Sequence, residues 1–239
     1  MGIRLNTSSP PAAIPSYLTT VYNWAYVHPR AVTVFERPWL INLILWGQFG
    51  HLRDAALQWL GPSLSGKTLQ MACVYGDLTP KLTQHIAPDG SLTVVDVLPI
   101  QLENLRHKLT DPDRVELIQA DCSAMPLASG SMDQILLFFL LHEQPEEVRR
   151  ATLAEALRVL KPGGRIVLVD YHRPRIIHPL YGPMKLILHQ LEPFAMDLWR
   201  HPLTHWLPAD IPAHVVRHET WFGGLYQLCE LHRDPPKPH

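Results

Sequence analysis

The feature that most restricts the fold is the alternation, between Thr68 and Val169, of short apolar runs with segments of helical spacing. Thr68 to Val74 reads as a buried strand, followed by a helix through Leu82 to His85. Thr93 to Val97 is the next strand, Pro99 to Leu109 its helix, and Val115 to Ala120 the strand after that. Gln134 to Leu141 is apolar along its length, as expected of a central parallel strand covered on both faces. Leu153, Leu157 and Leu160 share one helical face, Lys161-Pro162-Gly163-Gly164 is expected to stop that helix, and Ile166 to Val169 is a further strand. Such β-then-α order leads to a doubly wound α/β sheet, because each parallel strand needs a crossover and the crossovers cover both faces. Ligands of such sheets bind beyond the carboxyl ends of the strands, where the first β-to-α turn must let backbone come close.

The flanking segments read differently. Pro10, Pro11 and Pro15 disfavour regular structure, so residues 1–16 are expected to be a loose tail. Residues 17–60 are rich in aromatic side chains and broken by Pro29 and Pro38, which suggests a cap of short helices, the last carrying Leu52, Ala56, Trp59 and Leu60 and ending at Gly61-Pro62. A core over 61–174 follows. Residues 175–212 read as a helical lid, with a helix over Met184 to Trp199 and a loop over Pro202 to Pro212. Residues 213–233 read as a hairpin, Val215 to Phe222 and Leu225 to Leu231 being joined by Gly223-Gly224, and 234–239 as a short tail. At 239 residues with 46% apolar content, 17–233 is expected to be one domain.

Composition narrows the partners. A formal net charge of -1 argues against a surface built to neutralise nucleic-acid phosphates. Cys73, Cys122 and Cys229 form no CxxC pair and fit free thiols in a reducing compartment. The first residues carry no apolar stretch suited to export. The run Trp39 to Trp46 is too short to cross a bilayer. It is expected either to be a buried helix beneath the substrate or to rest at a membrane interface, where tryptophan rings are favoured.

The turn after the first strand, Leu69-Gln70-Met71-Ala72-Cys73-Val74-Tyr75-Gly76-Asp77-Leu78, resembles the S-adenosylmethionine (SAM) binding motif of methyltransferases, usually an acid followed by alternating glycines. Gln70, Ala72 and Val74 depart from that pattern and Gly76 keeps it. Asp96 ends the second strand, where a carboxylate can accept hydrogen bonds from ribose hydroxyls. With its neighbour Val97, and with Asp121 and Cys122 after the third strand, as where methyltransferases place an acid near the adenine amino group, it completes the expected cofactor set. His142, Glu143, Asp170 and His172 stand at the ends of two later strands that open on the same side of a parallel sheet. Imidazole and carboxylate suit a divalent metal.

Tyr22-Asn23-Trp24-Ala25-Tyr26-Val27-His28-Pro29, Ala72 to Asp77, Val95 to Leu102 and Leu141-His142-Glu143-Gln144-Pro145 together resemble the RquA family of rhodoquinone biosynthesis proteins. The resemblance implies a class I SAM-methyltransferase-like fold with a seven-stranded, mostly parallel sheet. It also implies conversion of ubiquinone to rhodoquinone, in which a ring methoxy group is replaced by an amino group supplied by SAM, with Mn²⁺ present. On that reading His142, Glu143 and His172 hold the metal or carry protons, Tyr75 and Val74 place the SAM amine, and Tyr22, Trp24, Tyr26 and His28 face the quinone. Because SAM's α-amine must be neutral to attack a ring, uncharged Gln70 in place of the usual acid is expected to relax the hold on its ammonium form. A polyprenyl-tailed substrate implies peripheral contact with the inner membrane from the cytoplasmic side, or from the matrix side in a mitochondrion. Two other functions fit the same residues: a conventional methyltransferase acting on a quinone or lipid, and a non-catalytic scaffold that retains the fold.

Overall fold

The computed structural model describes residues 13–22, 32 and 34–235. Its strands form a seven-stranded sheet in the order β3-β2-β1-β4-β5-β7-β6. Internal contacts divide the chain into two compact units, Met1–Leu127 and Ala128–His239.

The first unit contains helices α1 (Ser16–Thr20), α2 (Pro38–Ile44) and α3 (Phe49–Leu60), then β1 (Lys67–Met71), α4 (Leu78–His85), β2 (Ser91–Asp96), α5 (Pro99–Lys108) and β3 (Val115–Gln119). β1 and β2 run parallel from Lys67 opposite Ser91 to Met71 opposite Val95. β2 and β3 run parallel from Leu92 opposite Val115 to Asp96 opposite Gln119. The carboxyl ends are therefore level, and Asp96 is the last residue of its strand. Helix α3 buries Leu52, Ala56, Trp59 and Leu60, the expected face, and stops at Gly61, whose φ of +101° disfavours a side chain.

Helix α2 corrects one of the two expectations for the tryptophan-bracketed run. Ile41 and Leu45 are buried, but Trp39, Leu43, Ile44 and Trp46 are exposed, so this segment is not a fully buried helix. Neighbouring Pro38 fixes the start of α2, and Trp46 and Gly47 take positive φ at its end.

The second unit contains β4 (Met132–Phe138), α6 (Glu146–Val159), β5 (Leu160–Tyr171), α7 (Tyr181–Leu191), α8 (Ala195–Arg200), β6 (Ala213–Trp221) and β7 (Tyr226–Arg233). β4 and β5 are parallel, while β7 lies antiparallel to both β5 and β6. Two expected boundaries shift here. Helix α6 already ends at Val159, and Lys161 to Gly164 bulge from the start of β5, whose register passes from Met132 opposite Leu160 to Gln134 opposite Arg165. Gly164 is required there, since a Cβ on it would lie 2.8 Å from the Asp133 carbonyl oxygen. The single helix expected over Met184 to Trp199 is broken between α7 and α8, because Pro193 lacks the N–H a helix needs and clashes with the preceding turn. Edge strand β6 is largely exposed and carries Arg217 and Glu219, charges that discourage edge-to-edge pairing.

Candidate cofactor and catalytic sites

The turn after β1 is built from interactions distant in sequence. Asp96 accepts hydrogen bonds from the Cys73 main-chain N–H at 2.7 Å and the Leu98 N–H at 2.8 Å, one on each carboxylate oxygen. The Cys73 thiol also hydrogen-bonds to this carboxylate, whose remaining acceptor capacity suits a hydroxyl donor. Burial raises the Asp96 pKa to about 6, against the two N–H bonds that favour its charge. Gln70 is buried, donating from Nε2 to the Ala72 carbonyl at 3.0 Å and accepting from the Thr79 hydroxyl at 2.9 Å. Its amide thus ties β1 to α4. Asp121 accepts from the N–H and hydroxyl of Ser123 through Oδ1, at 2.8 and 2.7 Å, which closes a local turn after β3. The Val97 carbonyl accepts from Gln119 at 3.4 Å. The Cys122 thiol is buried and its pKa is raised, first by burial and then by Asp96 and Asp121.

The departures from a glycine-rich pattern have a physical reading. Ala72 adopts φ +68°, a conformation glycine takes at no steric cost, so an alanine there stores backbone strain. Ala72→Gly is expected to raise the unfolding free energy by about 0.5–1 kcal/mol, the strain relieved less the added freedom of the unfolded chain, read from a urea titration. Gly76 cannot be replaced so easily. Its φ is +85°, and a Cβ would lie 2.8 Å from Phe49 Cζ and 3.2 Å from Ile41 Cδ1.

A clamp unforeseen in the sequence holds the far side of this turn. The Gly76 N–H donates to Glu36 Oε1 at 2.9 Å, and Asn104 Nδ2 donates to Glu36 Oε2 at 2.7 Å. Lys108 Nζ lies 3.0 Å from the same carboxylate and donates to the Val74 and Gly76 carbonyls at 3.2 and 2.9 Å. The Tyr75 hydroxyl accepts from Gln101 Nε2 at 2.8 Å, and its ring stacks on Phe35 at 5.9 Å. Tyr22 is buried; Trp24, Tyr26 and His28 lie outside the described residues.

In the second unit a buried polar centre forms at the ends of β4 and β5. Asp170 accepts from the N–H groups of Leu141 at 2.9 Å, His142 at 3.3 Å and Tyr171 at 2.7 Å. His142 Nδ1 lies 3.0 Å from Asp170 Oδ1 and Nε2 lies 3.7 Å from Glu143. Edge-on rings of Phe139 and Tyr171 enclose the imidazole at 5.8 and 4.9 Å. Burial alone would depress the His142 pKa, but Asp170 outweighs it, with help from Glu192 and Glu143, and brings it to about 9. The folded-state value exceeds the unfolded one, so the stabilisation is complete below pH 6.5 and lost as pH rises through about 9. Urea midpoints should therefore fall over that window, and fall less in His142→Gln.

His172 stands apart from this cluster. Its Nδ1 lies 2.8 Å from the Gly224 carbonyl oxygen, its ring meets His218 edge-on at 5.8 Å, and its pKa is lowered chiefly by burial. Among the described residues no group of three or more His, Cys, Asp or Glu side chains is arranged to hold a metal ion. The expected ligand set of His142, Glu143 and His172 is thus corrected: the first two face one another and Asp170, and the third is engaged by the β6–β7 turn. The residues do not fit a shared Mn²⁺.

Parallel strands in this order, closed by an antiparallel hairpin at one edge, make the fold that of class I SAM-dependent methyltransferases. The family described as "Methyltransferase domain" matches residues 68–164, which run from β1 to the bulge of β5. Over 145 residues the chain is 29% identical to a demethylmenaquinone methyltransferase of Staphylococcus aureus strain JH9, a match covering 61% of this chain and 58% of that protein. The chain thus spans little more than half the length of that relative. Among solved structures, it is similar to N-methyltransferase NodS of Bradyrhizobium japonicum WM9 in complex with S-adenosyl-L-homocysteine, at 16% identity and a TM-score of 0.59, covering 86% of this chain and 97% of that one. A SAM-dependent methyltransferase of Aquifex aeolicus aligns at 17% identity with a TM-score of 0.55, covering 85% and 97%.

Proposed function

We propose that this protein is a SAM-dependent transferase acting on a quinone ring, with methyl transfer as the reaction. The observation that carries the proposal is Asp96, a buried carboxylate at the end of β2 bonded to the Cys73 N–H of the β1 turn. That is where a ribose is held in a doubly wound sheet. In this reading Asp96 binds the ribose hydroxyls, the backbone around Gly76 approaches the amino-acid end of SAM, and Asp121 meets the adenine edge. Bound SAM supplies an electrophilic methyl group. The substrate class follows the demethylmenaquinone methyltransferase relative, and a membrane-resident quinone implies peripheral contact with the inner membrane.

A second reading, amino transfer that turns ubiquinone into rhodoquinone, is favoured by one observation. Gln70 stands where an acid is usual, and both ends of its amide are engaged by Ala72 and Thr79, so it places no charge beside the SAM ammonium group. A neutral amine, the form able to attack a ring, is less disfavoured there. Purified protein incubated with a short-tailed quinone and SAM carrying distinct isotopes in methyl carbon and amino nitrogen separates the readings. Methyl label in the product supports the first, and nitrogen label with loss of methoxy supports the second. Absence of both with intact SAM binding would leave the scaffold.

A further inference from the structure

We propose that the loop carrying Ile176 and Ile177, together with the outer face of α7, is a docking surface for an anionic phospholipid bilayer. Ile176 is 71% and Ile177 89% exposed, at the tip of the segment that leads from β5 to α7. Helix α7 turns Met184 and Leu188 inward and leaves Leu186, Ile187 and Leu191 exposed. Five large aliphatic side chains are thus exposed within the short stretch 176–191, and exposed aliphatic surface of that extent marks a place where something binds.

Charge identifies the occupant. From Tyr171 to Leu191 there is no Asp or Glu, although the whole chain has 22 of them. The same stretch carries Arg173, Arg175 and Lys185, all exposed. Among the described residues none of these three has a carboxylate partner, whereas Arg150, Arg158 and Arg217 each do. An open cavity of about 390 Å³ beside the tip is lined by Arg173, Arg175, Ile176, Trp199 and Arg200. Cations at the base of an aliphatic tip match a bilayer, where phosphates lie above the acyl region. No described helix is long and apolar enough to cross a membrane. The exposed face of α2 is accompanied by a single exposed cation, Arg37 at its N-cap, since residues 38–46 contain no Lys or Arg.

The test is vesicle co-sedimentation of the full chain. Binding to phosphatidylcholine vesicles containing phosphatidylglycerol is expected to exceed binding to phosphatidylcholine alone and to fall with added salt. Arg173→Ala with Arg175→Ala should weaken it about thirtyfold, at the attraction typical of two cations near an anionic surface. Ile176→Ser with Ile177→Ser should weaken it at least tenfold. Both pairs are exposed, so unchanged circular dichroism should accompany the losses. An environment-sensitive fluorophore on Ile177→Cys should shift to the blue with anionic vesicles. Equal binding to both vesicle types, binding indifferent to the isoleucine pair, a fluorophore that does not respond, or loss only on changing Trp39 and Leu43 would each overturn the proposal. So would an Ile176-dependent dimer without vesicle binding, or capture of inorganic phosphate alone. The result is independent of which group is transferred, because turnover is read separately on a short-tailed quinone.

Discussion

Arg149→Leu is expected to lower the unfolding free energy by about 3–5 kcal/mol, seen as a large fall in the urea midpoint at an unchanged slope. The guanidinium is completely buried. Its Nε donates to the Leu141 carbonyl at 2.9 Å, and Nη2 donates to those of Gln144 and Phe194, each at 2.8 Å. The group also lies over the Trp206 ring at 4.6 Å and 3.7 Å from Asp197. Burial draws its pKa down and Asp197 and Asp170 oppose that, so the charge persists. Leucine would match the apolar stem and leave three carbonyls without these donors, which costs more than the lost bonds contribute. Arg149→Lys should recover part of the loss, since one ammonium cannot serve three acceptors in a planar fork. Because two of those carbonyls flank His142, the same variant should also move the His142 titration away from pH 9 in an NMR experiment, which a purely global loss of stability would not do.

Asp96→Ala is expected to weaken SAM binding by at least about a hundredfold, measured by calorimetry with SAM or S-adenosyl-L-homocysteine. Two hydrogen bonds to a charged acceptor at about 1.5–3 kcal/mol each set that scale. The variant also frees the Cys73 and Leu98 N–H groups, so the β1 turn loses its tie to β2. In the unsubstituted protein the affinity should decline as pH falls through about 6, where the buried carboxylate takes a proton and loses acceptor capacity. The sign of its effect on apo stability is the reverse. A carboxyl whose folded pKa is raised favours folding at acid pH, and that contribution is lost as pH rises from 3.8 to about 6. Affinity that was flat across this range would remove Asp96 from the ribose.

The parallel strands were legible because each is an apolar run bounded by turn residues, as Val94, Val95 and Asp96 show at the end of β2. Sequence spacing also located the strand ends where Asp96, His142 and Asp170 stand. Where the reading slipped, the cause was local chemistry acting against periodicity. Pro193 broke a helix whose apolar pattern continued past it, and Lys161 to Gly164 entered a strand as a bulge although they read as a stop. The clamp of Glu36, Asn104 and Lys108 on Gly76 carried no local signal, because its contacts join residues 32 to 72 positions apart. The same holds for Arg149, which reads as one more polar residue of an amphipathic helix until its three carbonyl partners are seen.

By itself, the order of apolar runs determined that this chain winds a doubly wound sheet, because buried parallel strands allow few other connections. It also placed an acid and a glycine at the ends of the first two strands. Only tertiary structure decided what those groups do: that Ala72 holds a conformation suited to glycine, that Asp170 rather than His172 is the partner of His142, and that Leu43 and Ile44 of α2 and Leu186, Ile187 and Leu191 of α7 remain at the surface. Hydrophobic burial follows composition along a segment, whereas hydrogen bonds and ion pairs depend on ångström distances between segments that meet only after folding.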